Sequence, residues 1–255
     1  MAHLPEDPEQ VRMPFGAHLE ELRKRIWVSI LVLAGLFLAG WLLFSNDLTA
    51  IIMRPHRLAV EAVKAAHPDF DIDDRLAYFS YLEPIFFTMK ASGLAALILG
   101  FPFLLYQMWL FVGAGLYPRE RRAVTRYIPW SLLFAVAGVL FGYFFMIPMV
   151  LGYLLQIPDS SLLVPQLRLD FYFTLLLLLT LALALVFQLP LILLGLNAAG
   201  MVDAASLRQH RRHFILGTFI VSAVITPPNP ISQVLMAAPT LLLWGRDDVI
   251  TPPDV

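Results

Sequence analysis

The sequence predicts an all-α membrane protein that crosses the bilayer several times, and its composition and its apolar runs both predict this class. Of its 255 residues, 59% are hydrophobic and 15% are charged, and the mean hydropathy is +0.73. A soluble domain of this size needs far more polar surface. Four runs approach the length of about 20 residues that a helix needs to cross a bilayer. They cover residues 26–44, 85–112, 128–155 and 171–196.

Two further apolar runs are too short to cross a hydrocarbon core of about 30 Å unaided. They cover residues 214–225 and 231–243, on either side of the segment TPPNP at 226–230. They form either a re-entrant hairpin or two short spans that thin the local bilayer. Both alternatives keep the total number of crossings even, so the orientation of the chain does not depend on the choice.

The basic residues predict which side of the membrane each segment faces. Segments 1–25, 113–127 and 197–213 carry 4, 4 and 3 Lys or Arg, whereas segments 45–84 and 156–170 carry 4 and 1 together with clustered acids. By the positive-inside rule the first set is cytoplasmic, which places both termini in the cytoplasm. Residues 45–82 are then a cap on the outer face, and residues 1–255 form a single transmembrane domain.

Prolines predict bent helices. Each proline inside a helix removes one intrahelical hydrogen bond. Five of them fall within or at the ends of the apolar runs, namely Pro102, Pro129, Pro148, Pro190 and Pro239.

Few polar side chains lie at membrane depth, where they are costly and often functional. Lys90 follows Glu83 by seven residues, which places both on one helical face, and it either snorkels to the interface or belongs to a polar site. Gln188 lies deep in the fourth run, just before Pro190, and Gln107 lies in the second run. Each amide either makes a packing hydrogen bond or forms a functional polar site.

Several classes of function are disfavoured by what the chain lacks. The cores of the four long runs contain no Asp or Glu, which proton-relay transporters usually need there. The chain has no cysteine, no nucleophile and base at membrane depth, and no histidine pair with convincing metal spacing. The sequence therefore predicts neither an enzyme nor a cofactor, a metal or a nucleic-acid partner.

Two basic stretches that also hold carboxylates stand next to apolar runs. They read HLEELRKR at 18–25 and LYPRERR at 116–122. On a helix Glu21 can pair with Arg25, four residues later, as an ordinary surface ion pair. Glu120 follows Gly113, Gly115 and Pro118, which favour a tight loop near the membrane surface. The alternative is that carboxylates in these positions bind a cationic peptide.

Several ordered motifs resemble those of the TatC family, the multi-spanning receptor subunit of the twin-arginine protein translocase. The matching motifs are HLEELRKR at 18–25, EPIFFTMK at 83–90, FPFLLYQMWLFVGAGLYPRERR at 101–122, FGYFFMIP at 141–148, FQLP at 187–190 and ITPPNPISQ at 225–233. The resemblance implies an inner-membrane protein with six spans, short fifth and sixth helices, a cupped shape and both termini cytoplasmic.

The resemblance also implies roles for individual residues. Glu120 would be the main carboxylate that contacts the arginine pair of a signal peptide, Glu21 the second, and Arg23 would belong to the same site. Gln188 stands where relatives often carry glutamate, on the concave face, at a polar site tied to the single-span TatA/TatB-type subunits. Asn229 stands where aspartate is common, so roles that need a charge at these two positions are in question.

The implied function is docking of folded precursor proteins by their twin-arginine signal peptides, in an oligomeric complex in the lipid membrane, with the proton gradient as energy source. A secondary solute transporter with a midplane site near Gln188 and Lys90 is the alternative. A passive assembly scaffold is the third possibility.

Overall fold

Helices make up nearly all of the part of the chain that a computed structural model describes, which is residues 15–68, 75–116, 121–122, 125–156, 167–198, 209, 211–225, 230–231, 233–235 and 237–238. The helices are α1 (Phe15–Leu43), α2 (Ser45–Ala66), α3 (Glu83–Ala114), α4 (Ile128–Phe141), a π-helical turn (Gly142–Met146), α5 (Ile147–Gln156), α6 (Leu169–Val186), α7 (Leu189–Ala198) and α8 (Arg211–Ile225). An isolated bridge between Ala77 and Arg168 is the only β pairing among these residues.

Four helical stretches are long and apolar enough to cross a membrane. They are Gly16–Leu43, Glu83–Ala114, Ile128–Gln156 and Leu169–Asn197. Each contains or closely matches one of the four predicted runs, so the all-α class and four apolar helices of spanning length at these positions are confirmed among the described residues. Helix α8 covers the fifth predicted run. Most of the sixth run, and Pro239 with it, lies outside the described residues.

The cap predicted at residues 45–82 contains a long helix, α2, that the sequence reading did not identify. One face of α2 is buried at three- and four-residue spacing, as expected for an amphipathic helix. This face packs on α3 and α5. Its buried residues are Ile52, Pro55, His56, Ala59, Val60 and Val63.

A proline in the middle of α2 is compensated by tyrosines from two spans. Pro55 has no N–H, so the carbonyl of Ile51, four residues earlier, loses its helical donor. The Tyr143 hydroxyl donates to that carbonyl at 2.7 Å, and the Tyr172 hydroxyl donates to the next one, of Ile52. The freed backbone group therefore becomes an attachment point between α2 and the spans.

Two of the predicted prolines, Pro148 and Pro190, lie at interruptions of an α-helix. Pro129 lies in the first turn of α4, where a missing N–H costs nothing. Pro148 follows directly on the π-helical turn, in which the N–H of Ile147 donates to the carbonyl of Gly142, five residues back. This wider turn accommodates the proline ring. Pro102 differs, because α3 continues through it.

Pro190 separates α6 from α7. A helix through this point would need the Pro190 nitrogen to donate to Val186, which it cannot do, and Val186 is the last residue of α6. The chain makes a turn at Phe187 and Gln188, where the N–H of Gln188 donates to Leu185 at 2.9 Å. The helix resumes as α7, beginning at Leu189.

Close helix contact at this turn depends on a glycine in α4. A β-carbon placed on Gly138 would lie 2.9 Å from Cγ and 3.1 Å from Cβ of Phe187. Those atoms form the base of the phenyl side chain and cannot swing away as a flexible tip could. Gly138 thus lets α4 approach the turn between α6 and α7.

We expect Gly138→Ala to destabilise the protein by about 1–3 kcal/mol, because overpacking displaces well-ordered neighbours. Thermal unfolding in detergent measures the change. The matched control is Gly35→Ala, since a β-carbon at Gly35 meets no atom within 4 Å. At that open helical position alanine should be neutral or stabilising by up to about 1 kcal/mol. Equal melting temperatures for the two variants would contradict the packing role of Gly138.

Candidate functional site

The two predicted basic motifs meet at one end of the structure, which we call the basic end. It comprises the N-terminal turns of α1, the C-terminal turns of α3 and residues 121–122 and 125–128. The His18 ring stacks on Phe111 with 4.4 Å between ring centroids. Its Cε1 atom lies 3.2 Å from the position that a β-carbon on Gly115 would take. The first motif therefore lies against the helix end that leads into the second.

A three-residue chain of polar contacts joins α1 to α3 at the basic end. Arg25 donates through Nη2 to Oε1 of Glu21, in the i,i+4 pair expected from the sequence. Its Nη1 atom donates to Oε1 of Gln107 at 3.1 Å. The pair is not a free surface pair, because the Arg25 and Glu21 side chains are only 18% and 27% exposed. Gln107 thus belongs to the basic end.

The loop that holds Glu120 is described only at its two sides. Residues 117–120, and Glu120 with them, lie outside the described residues. Before them Gly115 contacts His18, and after them Arg121 packs on Gly113, where a β-carbon would lie 3.6 Å from Cγ of Arg121. Arg23 is exposed on α1. Both sides of the loop therefore lie at the same end as Glu21.

Two nitrogen atoms at the basic end are buried without a hydrogen-bond partner. They are Nδ1 of His18 and Nε of Arg25. A buried N–H group without an acceptor carries a cost of about 1–3 kcal/mol. In the described part of the chain the hydrogen-bonding capacity of this end is therefore not fully used.

Gln188 lies in a buried polar network at the turn between α6 and α7. Its Oε1 atom accepts from Oγ of Ser131 at 2.6 Å, and its Nε2 atom donates to the Ser131 carbonyl at 3.2 Å. Ser131 Oγ also accepts from Nε1 of Trp109 at 3.1 Å. Gln188 is 2% exposed, so its amide joins α4 and the α6–α7 turn and presents no open polar surface.

Lys90 lies at the opposite end of the spans, in an ion pair. Its Nζ atom is 2.6 Å from Oδ1 of Asp170, and both side chains are about half exposed. Lys90 and Glu83 line one cavity of about 440 Å³, which agrees with their predicted common face. The Glu83 carboxylate accepts the Phe79 N–H at 2.7 Å.

The two residues of the alternative midplane site are not brought together. Lys90 pairs with Asp170 in the first turn of α6, whereas Gln188 follows the last turn. At 1.5 Å per residue these positions are roughly 27 Å apart. The sequence analysis did not predict that Ser131, Trp109 and Asp170 are hydrogen-bond or ion-pair partners. The only signal in the sequence was a polar side chain within or next to an apolar run.

We expect Gln188→Leu to lower the free energy of unfolding by about 1–3 kcal/mol, because Ser131 would lose its buried hydrogen-bond acceptor. Unfolding temperature in detergent measures this loss. Gln156→Leu is the matched control, since exposed Gln156 bonds only to a carbonyl of its own helix. It should change stability by no more than about 0.5 kcal/mol. A Gln188→Leu variant as stable as this control would refute the role of the network.

Comparison with known proteins gives a consistent result over most of the chain. The family model described as "Sec-independent protein translocase protein (TatC)" matches residues 17–239. The TatC protein of Koribacter versatilis is 34% identical over 234 residues, covering 91% of this chain and 82% of that protein. The TatC protein of Aquifex aeolicus is also 34% identical, covering 91% of this chain and 92% of its own.

A solved structure agrees with the fold. The crystal structure of the twin-arginine translocase receptor TatC in DDM superposes with a TM-score of 0.70 at 32% identity, covering 90% of this chain and 97% of that one. With four membrane-length helices among its described residues, this chain is a multi-pass membrane protein and belongs to the TatC family of Sec-independent protein translocase components.

Proposed function

We propose that the chain is the receptor subunit of a twin-arginine translocase and binds the signal peptides of folded precursor proteins at its basic end. The observation that carries this proposal is the position of Glu21. Its partly buried carboxylate lies on the same end of the structure as Gly115 and Arg121, the residues on either side of the loop that holds Glu120. In this proposal Glu120 is the main peptide carboxylate, Glu21 the second, and Arg23 contributes to the same surface.

The chemistry of these side chains suits a pair of arginines. A guanidinium and a carboxylate form two parallel charge-assisted hydrogen bonds in one plane, which an ammonium cannot reproduce. A site built from two carboxylates would therefore distinguish paired arginines from paired lysines. The partly buried setting of Glu21 strengthens its contact, because the local dielectric constant is lower than that of water.

The proposed arrangement is a single membrane domain of six spans in the inner membrane, with both termini in the cytoplasm. It is supported by the basic residues of segments 1–25, 113–127 and 197–213. In this orientation the basic end faces the cytoplasm, where precursor proteins arrive. Helix α2 and the pair of Lys90 with Asp170 then face the outer side. The fifth span is α8, and the sixth is the run 231–243.

The proposed partners are single-span TatA/TatB-type subunits, which associate with the receptor in an oligomeric complex. The proton gradient supplies the energy for export by this complex. Gln188 would act on these partners through the shape of the α6–α7 turn, because its amide is buried against Ser131. A neutral amide suffices for that role. This role therefore does not require the glutamate that relatives often carry at this position.

We expect Glu120→Gln and Glu21→Gln each to weaken binding of a twin-arginine signal peptide by about 10- to 100-fold, since a hydrogen bond to a charged group contributes about 1.5–3 kcal/mol. Fluorescence anisotropy with the detergent-purified protein measures this. Replacing the Arg-Arg pair of the peptide by Lys-Lys should weaken binding to the unaltered protein by at least tenfold.

Glu20→Gln is the matched control for that experiment, because Glu20 is an exposed carboxylate next to Glu21. It should change affinity by less than about twofold, because successive residues of a helix do not face the same way and an exposed charge contributes little. Peptide binding that is indifferent to both glutamate variants and to the lysine replacement would remove the receptor proposal.

The orientation can be tested with single cysteines, since the natural sequence contains none. We expect Ser80→Cys to react with a membrane-impermeant maleimide added to intact spheroplasts. Arg122→Cys should react only after the membrane is permeabilised, because residues 113–127 are placed in the cytoplasm. Mass shift on a gel reports the labelling. The reverse labelling pattern would overturn the proposed orientation.

A further inference from the structure

We propose that Arg25 is a positioning residue that occupies Glu21 in the unloaded protein and sets how tightly a cationic signal segment must bind to displace it. This inference rests on the proposed function and assigns to Arg25 a part in the same site. A peptide guanidinium that binds Glu21 must first release the guanidinium that already contacts it.

The tether to α3 distinguishes this contact from an ordinary helical ion pair. An exposed i,i+4 pair forms and breaks with little cost, because both side chains move freely in water. Here the second Nη atom of Arg25 donates to Gln107, which lies 82 residues further along the chain. With an exposed fraction of 18%, the Arg25 side chain is held between two helices. Its guanidinium is thus kept at Glu21.

The contact is nevertheless incomplete, which makes it displaceable. It joins one guanidinium nitrogen, Nη2, to one carboxylate oxygen, Oε1. The Nε atom of Arg25 is buried and has no hydrogen-bond partner among the described residues. An incoming guanidinium with both edges available could form the two-bond arrangement with Glu21. Arg25 makes only one such bond here, because its Nη1 atom is on Gln107 and its Nε atom has no acceptor among the described residues.

An internal competitor lowers the apparent affinity of every ligand that needs Glu21, by the same factor. If the closed contact occupies about four-fifths of the molecules, the apparent affinity falls about fivefold. The ratio of affinities for two such ligands is unchanged. The contact therefore sets a threshold of affinity. A ligand that already binds weakly, such as a peptide with a lysine pair, then needs a higher concentration than it reaches to occupy the site.

The test compares Arg25→Gln with Lys24→Gln in the full-length protein at one fixed ionic strength, with a twin-arginine peptide and its Lys-Lys variant as probes. Both substitutions remove one positive charge from the same turn of α1, and Lys24 is exposed. General charge effects are therefore matched. We expect Arg25→Gln to tighten binding of both peptides about fivefold relative to Lys24→Gln, leaving the ratio between the peptides unchanged.

Gln107→Leu provides a second variant that leaves the charges intact. Loss of the tether should destabilise the closed contact and tighten peptide binding, by less than Arg25→Gln does. In the Arg25→Gln background the same substitution should have no further effect, because the residue it tethers is gone. A merely structural role of Gln107 would give equal effects in both backgrounds.

The outcomes separate this inference from the proposed function. If the unaltered protein binds the twin-arginine peptide and Glu21→Gln weakens binding, but Arg25→Gln equals or falls below Lys24→Gln in affinity, only the role of Arg25 is overturned. If the unaltered protein does not bind the peptide, both proposals fail. If Glu21→Gln has no effect but Glu120→Gln and the lysine replacement weaken binding, the inference about Arg25 fails and the receptor proposal stands.

Discussion

Backbone polar groups inside the hydrocarbon core must be hydrogen-bonded by the protein itself, and this constraint governs how the chain uses proline. Each proline inside a helix leaves a carbonyl without its donor, and within the spans no water can replace that donor. Helix α2 lies outside the four apolar stretches, but the protein also satisfies the carbonyl freed by Pro55. The structure accommodates each of three prolines in a different way. The carbonyl freed by Pro55 accepts a tyrosine hydroxyl, Pro148 is preceded by a wider turn, and Pro190 ends a helix at a turn that Gln188 fastens to α4. Interruptions of the helices thereby become contacts between them.

Charged side chains follow the same constraint at the two ends of the spans. Arg25 is paired with Glu21 at the basic end, and Lys90 with Asp170 at the other. Where the described spans bury polar side chains, those side chains are instead neutral hydrogen-bonding groups, such as those of Ser131 and Gln188. This distribution concentrates electrostatic attraction where a charged segment can arrive from water. A site for a cationic peptide therefore belongs at an end of the bundle.

The long spans could be predicted because length and apolarity are local properties of the chain. Helix α2 lacks that apolarity and was not predicted, although its apolar residues already have the three- and four-residue spacing of an amphipathic helix. What the sequence could not show is that this face packs on α3 and α5. The pair of Glu21 and Arg25 follows from helical spacing, but the contact of Arg25 with Gln107 joins residues 82 positions apart. The burial of Gln188 against Ser131 likewise depends on packing of two spans. The position of Glu120 relative to Glu21 stays a prediction.

The π-helical turn at Gly142–Met146 rotates the residues after it about the helix axis relative to the residues before it. A turn with one additional residue shifts the pattern of inward-facing positions by one. Before the turn the buried residues Ser131, Ala135 and Gly138 face the α6–α7 turn. After it the inward stripe includes Ile147, Leu151 and Leu155, on the helix that packs against α2. The stretch Ile128–Gln156 thus consists of two helices with offset buried faces, the first packed on the α6–α7 turn and the second on α2.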